Sequence, residues 1–320
     1  MITIAKRFLE QGGVGAIPTE TVYGLAANAF NTMAVAKIFD IKNRPTFDPL
    51  ILHTDSISKI FDYTTDFPPL AQKLANHFWP GPLTLLLPKS ALVPDLVTAS
   101  LPNVAVRIPD HPIALQLLKS LAFPLAAPSA NPFGYISPTT ALHVEQQLGS
   151  KIDFILDGGA CNVGIESTIV GFENQQPVIY RLGGISVEAI EELVGKCIIQ
   201  TSGSNPKAPG MLMAHYAPKT PLIITDNINK YAIKYAHKKI GVISFSDFFY
   251  HVNIIESLVL SSSKDLKEAA ASIFAFMRQL DCIEALDYIL VEQMPEEGLG
   301  RAINDRLLRA SAKRAFTKGI

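Results

Sequence analysis

Two cations stand at the end of a predicted helix, in a pattern suited to holding phosphate groups. Lys42 and Arg44 follow the helical pattern of residues 32–41, and Pro45 disfavours the helical conformation at Arg44. In an extended segment, residues two apart point to the same side, so the two positive charges would converge. Arginine offers a fork of N–H donors and lysine a mobile point charge, which suits a polyphosphate. Cations that only stabilise a helix C-terminus are the alternative interpretation.

Two polar segments directly follow predicted strands, which is where open α/β sheets bind ligands. Residues 18–24, PTETVYG, would present hydroxyl groups and backbone amides. In residues 127–132, APSANP, two prolines keep the chain extended and place Ser129 and Asn131 on one side, with Ser137 shortly after. Ordinary turns built from Pro, Thr, Ser and Gly remain the alternative, and spacing alone favours them.

A charged residue interrupts the apolar strand predicted at 104–108. Arg107 alternates to the face opposite Val104 and Val106, and a partly buried guanidinium requires an anionic partner. A substrate carboxylate would satisfy it with two parallel hydrogen bonds, whereas the alternative is an arginine whose head reaches solvent at the strand end. His53 closes another apolar strand in the same way and, taken alone, is more typical of a structural histidine. Further polar side chains at strand ends are Ser167, Thr168 and Arg181.

The elements that would position these residues alternate between short apolar strands and amphipathic helices over residues 1–201. The predicted strands are 14–17, 50–53, 83–87, 104–108, 125–127, 154–156, 168–171 and 178–181. The predicted helices are 2–11, 32–41, 69–78, 112–121, 140–148 and 187–194. This mixture predicts an α+β or irregular α/β fold, in which helices cover a sheet, and not a regular doubly wound repeat.

A change of composition marks a domain boundary after residue 201. Residues 202–221, SGSNPKAPGMLMAHYAPKTP, contain four prolines and two glycines and are typical of a linker. Beyond it, strands are predicted at 222–225, 241–245 and 288–292, and a helix at 266–280. Residues 222–320 are therefore expected to form a small, parallel, Rossmann-like α/β domain.

Length and composition restrict the class of protein. A chain of 320 residues suggests about two domains, and 48% apolar against 18% charged residues exclude a disordered chain. Its 28 basic and 29 acidic side chains give a net charge of −1, which argues against a surface built entirely for nucleic acid or anionic membrane. The sequence has neither an apolar run long enough to span a bilayer nor a secretory signal, so we expect a cytoplasmic protein.

Several common functional patterns are missing from the sequence. The three cysteines, Cys161, Cys197 and Cys282, are too far apart for a zinc ribbon and are expected to be small core residues. GxxxxGK[ST], GxGxxG, HExxH and GxSxG do not occur. The usual nucleotide loops, zinc proteases and serine hydrolases are therefore not supported.

The last twenty residues are locally basic. Six cations against one acid give a local charge of +5: Arg301, Arg306, Arg309, Lys313, Arg314 and Lys318 against Asp305. Contact with RNA would suit this charge, but a terminal helix with a solvated basic face is the simpler interpretation.

Taken together, these segments resemble the threonylcarbamoyl-AMP synthase family in its long form, a YrdC-like catalytic domain followed by a smaller C-terminal domain. Eight segments match in order along most of the chain, which leaves little room for chance. They are PTETVYGL (18–25), KNRP (42–45), PLILH (49–53), WPGPLT (79–84), VAVRIP (104–109), APSAN (127–131), GIESTIV (164–170) and HYAP (215–218).

The resemblance implies a fold, a reaction and a set of binding residues. The fold would be a twisted mixed sheet with helices forming a concave domain, and the reaction would convert L-threonine, bicarbonate and ATP into threonylcarbamoyl-AMP and pyrophosphate. The product would serve threonylcarbamoyladenosine modification of transfer RNA. By analogy, ATP should contact Lys42, Arg44, Asp48, Asn103, Ser129, Asn131, Ser137, Arg181 and Tyr216. Threonine should contact Thr21, His53, Arg107, the Ala127 backbone and Ser167.

The same resemblance implies a mechanism without a protein nucleophile. The amine of threonine would capture carbon dioxide or bicarbonate, and the carbamate would attack the α-phosphate. Lys42, Arg44 and Arg107 would be the catalytic residues, with Mg²⁺ beside the phosphates and no protein ligand for it assigned. His215 and Tyr216 would lie on a lid that closes over ATP.

The expected partner is the downstream transferase that transfers the threonylcarbamoyl group of the product to transfer RNA. The protein could also contact transfer RNA directly, but the predicted function does not require this contact. The alternative function is an RNA-binding YrdC-like module without synthase activity. A carbamoyl-transfer domain of the hydrogenase-maturation type shares the fold, but the chain lacks zinc-finger cysteines and an acylphosphatase-like segment.

Overall fold

The computed structural model describes residues 1–201, 208–209, 211 and 215–312. These residues form two compact units, of which the first comprises Met1–Phe133 and Ser137–Leu212, and the second Gly134–Ile136 and Met213–Ile320. The rest of the predicted linker, and Lys313, Arg314 and Lys318, lie outside the described residues.

The described residues of the first unit form ten strands, with helices on their flanks. The strands are β1 Gly15–Ile17, β2 Gly24–Asn28, β3 Ile51–His53, β4 Leu83–Pro88, β5 Asn103–Arg107, β6 Leu125–Ala126, β7 Phe154–Ile155, β8 Thr168–Glu173, β9 Gln176–Arg181 and β10 Ile198–Ile199. The helices are α1 Ile2–Glu10, α2 Thr32–Lys42, α3 Ile60–Tyr63, α4 Pro69–Phe78, α5 Asp95–Thr98, α6 Pro112–Ser120, α7 Ala141–Leu148 and α8 Val187–Val194.

These strands form one mixed sheet, which confirms the predicted fold class. Their order is β10-β9-β8-β4-β5-β3-β6-β2-β1-β7. The central strand β5 pairs parallel with β3 and antiparallel with β4. Parallel and antiparallel neighbours thus alternate irregularly, as a sequence without a regular βα repeat predicts.

The sequence pattern misses β2 and β10. Glycine and alanine make up most of β2, GLAAN, and neither residue favours a strand. The strand forms because it has partners on both sides, pairing antiparallel with β1 and with β6. β10 has only two residues, which is too short for a periodic signal.

The central strands bury apolar side chains on both faces. Val104 and Val106 of β5 belong to the main core, whereas Ala105 packs in a second cluster with Ile51 and Met211. Arg107 therefore projects from the face of Ala105, which confirms the predicted alternation. His53, two residues after Ile51, projects from the same face.

The second unit is a small parallel α/β unit, as expected. In chain order, its elements are β11 Leu222–Thr225, α9 Ile228–Lys234, β12 Ile240–Ser244, β13 Ile254–Val259, α10 Leu266–Asp281, β14 Tyr288–Glu292 and α11 Gly300–Ser311. The sheet order is β11-β14-β12-β13, and every pair is parallel. The sequence analysis misses α9 and β13.

The tripeptide Gly134–Ile136 is held within the second unit by α10. Arg278 places its guanidinium 5.1 Å from the ring centroid of Tyr135 and donates a hydrogen bond to the Ile136 carbonyl. The Tyr135 hydroxyl donates to Asp281 at 2.5 Å. A cation–π contact and two hydrogen bonds to charged side chains therefore fix this tripeptide.

Two of the basic residues near the C-terminus, Arg306 and Arg309, do not lie on a solvated face. Arg306 is fully buried and Arg309 is 3% exposed. Both guanidinium groups lie 3.0 Å from the Asp305 carboxylate, so these two cations serve the interior of the second unit. They are not available as contacts for RNA.

The prediction that the cysteines are small core residues is confirmed only in part. Cys161 is buried as expected, but Cys197 is partly exposed and Cys282 is exposed, so the prediction of core cysteines is wrong for Cys282.

Among the described residues, no helix combines the length and the apolar character that crossing a bilayer requires.

Candidate active site

His53 and Arg107 lie side by side at the ends of two parallel strands. They are directly paired in the register of β3 and β5, and each is 3% exposed. The Ala127 amide donates to the Ile51 carbonyl at 2.9 Å, which places the segment after β6 next to the same edge. Three residues predicted to contact threonine are thereby brought together.

Arg107 has the anionic partner that its burial requires, and the partner is part of the protein. Its Nη2 donates to Glu20 Oε1 at 2.7 Å, and its Nε donates to the Gly81 carbonyl at 3.3 Å. The alternative of a guanidinium that reaches solvent is therefore wrong. The predicted contact with a substrate carboxylate stays a prediction.

His53 is neutral because of its surroundings. Burial, together with the positive charges of Arg107 and Arg181, lowers its pKa to about 3, although a hydrogen bond to Ile51 opposes this change. That hydrogen bond joins Nδ1 to the Ile51 carbonyl at 3.2 Å, so Nδ1 carries the proton and Nε2 is an acceptor. Neutral His53 can accept a hydrogen bond from a hydroxyl or an amine.

The depressed pKa of His53 predicts a pH dependence of stability. The unfolded chain takes up a proton on this histidine below about pH 6.5, whereas the folded protein does so only near pH 3. Stability should therefore fall by about 1.4 kcal/mol per pH unit between these values as pH decreases. Urea unfolding from pH 7 to pH 4 should show this slope, and His53→Asn should reduce it. An equal slope in both proteins would contradict the assignment.

Ser167 connects three strands. Its hydroxyl lies 2.7 Å from Thr84 Oγ1 of β4 and accepts a hydrogen bond from Arg181 Nη2 at 2.9 Å. Arg181 Nε also donates to the Ser167 carbonyl at 3.0 Å. Gly183 permits this approach, since a Cβ there would stand 2.3 Å from the Glu166 carbonyl oxygen. Two predicted ligand residues, Ser167 and Arg181, are thus in direct contact.

Lys42 binds the segment predicted to hold ATP. Its Nζ donates to the carbonyl groups of Ser129 and Asn131 at 2.5 Å each, and its own carbonyl accepts from the Phe133 amide at 2.8 Å. Burial lowers the Lys42 pKa well below its usual value, and Arg44 lowers it further, while Asp48 and Glu166 oppose the change. The end of α2 and the segment 129–133 therefore form one structural piece.

Arg44 and Asp48 form a buried ion pair next to Lys42. Arg44 Nη2 lies 2.9 Å from Asp48 Oδ2 and also donates to the Pro49 carbonyl at 2.8 Å. The sequence predicts an extended chain from Lys42 to Arg44, and this is wrong. Asn43 has φ +52°, and this left-handed residue ends α2 and turns Arg44 towards Asp48.

The remaining predicted residues of the first unit, Thr21, Ser137 and Asn103, have separate surroundings. Thr21 is fully buried and its hydroxyl lies 2.8 Å from Thr19 Oγ1. The Ser137 hydroxyl donates to Glu166 Oε1 at 2.5 Å. Asn103, the first residue of β5, lines a cavity of about 810 Å³ together with Pro88 and Tyr180, at the opposite end of this strand from Arg107.

Tyr216, the last predicted ATP residue, belongs to the second unit. It is buried there, with its ring stacked 5.4 Å from Phe274 and the Arg306 guanidinium 5.3 Å from its ring centroid. His215 packs edge-on against it at 4.2 Å. Its predicted contact with ATP, and the closure of this segment as a lid, stay predictions.

Buried charge is the main electrostatic feature of the first unit. Its described residues include seven buried charged side chains: Glu20, Lys42, Arg44, Asp48, Arg107, Glu166 and Arg181. Burial raises the pKa of Asp48, whereas Arg44, Lys42 and Arg181 lower it. Arg181 also acts on His53, so it links the group around Lys42 to the group around Arg107. We call these seven side chains the charged cluster.

By residue type, the charged cluster contains four basic and three acidic side chains. Such clusters of buried charges are rare in a fold core and are typical of functional sites. The arrangement is suited to a ligand that brings negative charge. Thiol chemistry does not suit it, because burial raises the pKa of nearby Cys161 to about 12.

Sequence analysis assigns no role to Glu20 and Glu166. Each lies inside a matched motif, between residues that are themselves buried: Thr19 and Thr21 for Glu20, and Ile165 and Ser167 for Glu166. An acid within such a run indicates a buried cation or donor nearby, because isolated carboxylates are seldom buried. In the sequence, the available signal was the position of both acids within the matched motifs PTETVYGL and GIESTIV.

Comparisons with known proteins agree with this picture. Residues 7–183 match the family model of Sua5, YciO and YrdC, described as telomere recombination, and residues 185–312 match the model of the threonylcarbamoyl-AMP synthase C-terminal domain. The threonylcarbamoyl-AMP synthase of Pyrococcus abyssi is 40% identical, covering 98% of this chain and 94% of the relative. That of Bacillus subtilis is 39% identical with the same coverage.

A solved structure is similar over nearly the whole chain. The crystal structure of P. abyssi Sua5 complexed with L-threonine superposes with a TM-score of 0.90 at 41% identity, covering 97% of this chain and 94% of that chain. Both domains and their order are therefore shared with full-length relatives. The chain belongs to the threonylcarbamoyl-AMP synthase family.

Proposed function

We propose that this protein is a nucleotidyltransferase that makes threonylcarbamoyl-AMP and pyrophosphate from L-threonine, bicarbonate and ATP. The observation that supports this most strongly is the charged cluster, which offers one arginine beside a neutral histidine and a separate group of cations at the end of α2. The first pair suits the carboxylate of an α-amino acid, and the group of cations suits a nucleoside triphosphate.

Threonine is proposed to bind at the ends of β3 and β5. Arg107 would bind its carboxylate, and the Ala127 backbone would contact it beside Ile51. His53 Nε2 would accept a hydrogen bond from it, as the protonation of Nδ1 permits. Thr21 and Ser167 complete the proposed contacts.

ATP is proposed to bind around α2 and the segment 129–137. Lys42 and Arg44 would neutralise its phosphates, with Ser129, Asn131 and Ser137 as hydrogen-bonding partners and Arg181 between the two substrates. Asp48, Asn103 and Tyr216 are proposed as further contacts. Because Arg44 and Lys42 are already bound to protein oxygens, their orientation is set before the nucleotide arrives.

The proposed chemistry uses no protein nucleophile. The carbamate of threonine attacks the α-phosphate, its oxygen forms the new P–O bond, and pyrophosphate leaves. Arg107 holds the carboxylate end of the nucleophile, while Lys42 and Arg44 stabilise charge on the phosphates, so these three are the proposed catalytic residues.

Mg²⁺ is proposed as a cofactor for which no protein ligand is assigned. No three His, Cys, Asp or Glu side chains among the described residues form a group that could hold a metal ion, and Mg²⁺ commonly binds to substrate phosphates. Mg²⁺ is therefore proposed to be bound by the phosphates of ATP, and the steps above rely on the protein's own cations.

The product is proposed to be consumed by a transferase that modifies transfer RNA, and the reaction is proposed to occur in the cytoplasm, where ATP is available. Of the alternatives, an RNA-binding module without synthase activity is less well supported. Within the described residues, two of the cations that suggested RNA contact, Arg306 and Arg309, are buried and paired with Asp305.

Pyrophosphate release tests the proposed activity. With ATP and bicarbonate present, L-threonine should increase release at least about tenfold over the rate without an amino acid, and L-serine should give less, because it lacks the methyl group that threonine buries. Release that is equally fast without an amino acid would contradict the proposal. So would the absence of release from a folded protein that binds RNA with a steep salt dependence.

A further inference from the structure

Glu20 has a feature that its pairing with Arg107 does not explain. Its side chain is 7% exposed, and only Oε1 takes part in the 2.7 Å contact with Arg107 Nη2. Oε2 is buried and, within the described part of the chain, accepts no hydrogen bond. One half of a buried carboxylate is thus left without a donor.

A buried carboxylate oxygen without a donor is unfavourable and uncommon in folded proteins. The segment that contains Glu20 is otherwise well fixed. The Val163 amide donates to the Glu20 carbonyl at 2.8 Å, and the Thr19 hydroxyl donates to the Val22 carbonyl at 2.7 Å. The fold therefore holds Glu20 in place, with Oε2 available to accept a hydrogen bond from a bound group.

Arg107 complements Glu20, because one of its guanidinium nitrogens has no hydrogen-bond acceptor among the described residues. Nε and Nη2 donate to Gly81 and Glu20, while no described residue accepts a hydrogen bond from Nη1. The ion pair thus has an available cationic donor on one member and an available anionic acceptor on the other. A ligand that fits both must carry an anionic and a cationic group a few ångströms apart, as every α-amino acid does.

We propose that Glu20 is a specificity-determining residue that binds the α-ammonium group of the amino-acid substrate through Oε2 while Arg107 binds the carboxylate. This inference rests on the proposed function, because it assigns a partner to the nitrogen of the same substrate. The nitrogen keeps one N–H after it becomes a carbamate, so Oε2 retains a donor during the reaction.

The test compares two ligands and two proteins by calorimetry. L-Threonine and (R)-3-hydroxybutanoate share the carboxylate, hydroxyl and methyl groups, but only threonine has the ammonium group. The wild-type protein should bind threonine at least about 100-fold more tightly. Glu20→Gln keeps the size of the side chain and removes its charge. It should reduce this preference to less than about tenfold, mainly by weakening the binding of threonine.

A matched control separates this role from a general effect on structure. Glu173→Gln changes a partly buried carboxylate of the same unit, which accepts a hydrogen bond from Tyr180 at 2.7 Å, and it should keep the full preference for threonine. An unchanged preference in Glu20→Gln would overturn the inference. If that variant fails to fold, the wild-type protein still decides, because equal affinity for the two ligands would also overturn it. Failure of the wild type to bind threonine at all would instead contradict the proposed function.

Discussion

Replacing Arg107 by lysine should raise the KM for L-threonine roughly 10- to 100-fold and leave the KM for ATP nearly unchanged. Arg107 uses Nη2 for Glu20 and Nε for the Gly81 carbonyl, which leaves Nη1 for a substrate carboxylate. A lysine has a single ammonium group that would pair with Glu20 and leave no forked donor. Loss of a charge-assisted hydrogen bond of about 1.5–3 kcal/mol gives this range.

Lysine is a better test here than alanine. Arg107→Ala would leave the Glu20 carboxylate buried without its cation, and breaking a buried pair in this way costs about 3–5 kcal/mol of stability. Arg7→Lys, on the exposed side of α1, is the matched control and should leave both KM values unchanged. A KM for threonine that is equal in Arg107→Lys and wild type would refute the assigned contact.

The second large effect is expected at Lys42. Lys42→Met removes the cation that joins α2 to the Ser129 and Asn131 carbonyls, and turnover should fall at least about 100-fold. Lys37 of the same helix donates to the Gly12 carbonyl at 2.9 Å, and Lys37→Met should stay within about twofold of wild type. Steady-state kinetics at varied ATP concentration measures both variants.

The uptake of protons when ATP binds tests whether Lys42 contacts the phosphates. In the free protein, burial and Arg44 hold the Lys42 pKa well below its usual value of 10.5. Negative phosphates favour the protonated form and raise the pKa, so ATP should bind with proton uptake at a pH between the two values. Calorimetry in buffers of different ionisation enthalpy should detect this uptake in wild type and not in Lys42→Met. Equal uptake in both proteins would contradict the contact.

The sequence predicts the fold of the first unit well wherever periodicity is strong. Most predicted strands and helices occur within one or two residues of their expected ends, because β-branched and leucine-rich runs are bounded by Gly and Pro. β2 fails this rule, since its alanines acquire a strand conformation only from their neighbours β1 and β6.

The candidate site could be predicted in composition but not in geometry. The motifs indicate which polar residues lie at strand ends, and the register of β3 and β5 brings His53 and Arg107 together as expected. The left-handed Asn43 turns Arg44 away from the predicted extended path. Pairings such as Arg107 with Glu20 depend on contacts across 87 residues, which local patterns do not contain.

The same limit explains why the burial of Arg306 and Arg309 was not predicted. Charge along the sequence suggests a solvated basic face, but Asp305 is placed to pair with both Arg306 and Arg309 inside the second unit. The presence of one acidic residue, Asp305, among several basic residues was the sequence feature that could have indicated this pairing. Buried arginines with an ion-pair partner are structural, and they give no information about RNA.

The most direct test of the central claim is to identify the product. The purified protein should convert ATP, L-threonine and ¹³C-bicarbonate into threonylcarbamoyl-AMP, with one ¹³C atom retained and one pyrophosphate released per molecule, as measured by mass spectrometry and a coupled phosphate assay. Omitting threonine or bicarbonate should abolish the product. Cleavage of ATP without this adduct, at a rate independent of threonine, would contradict the assignment of the charged cluster as a synthase site.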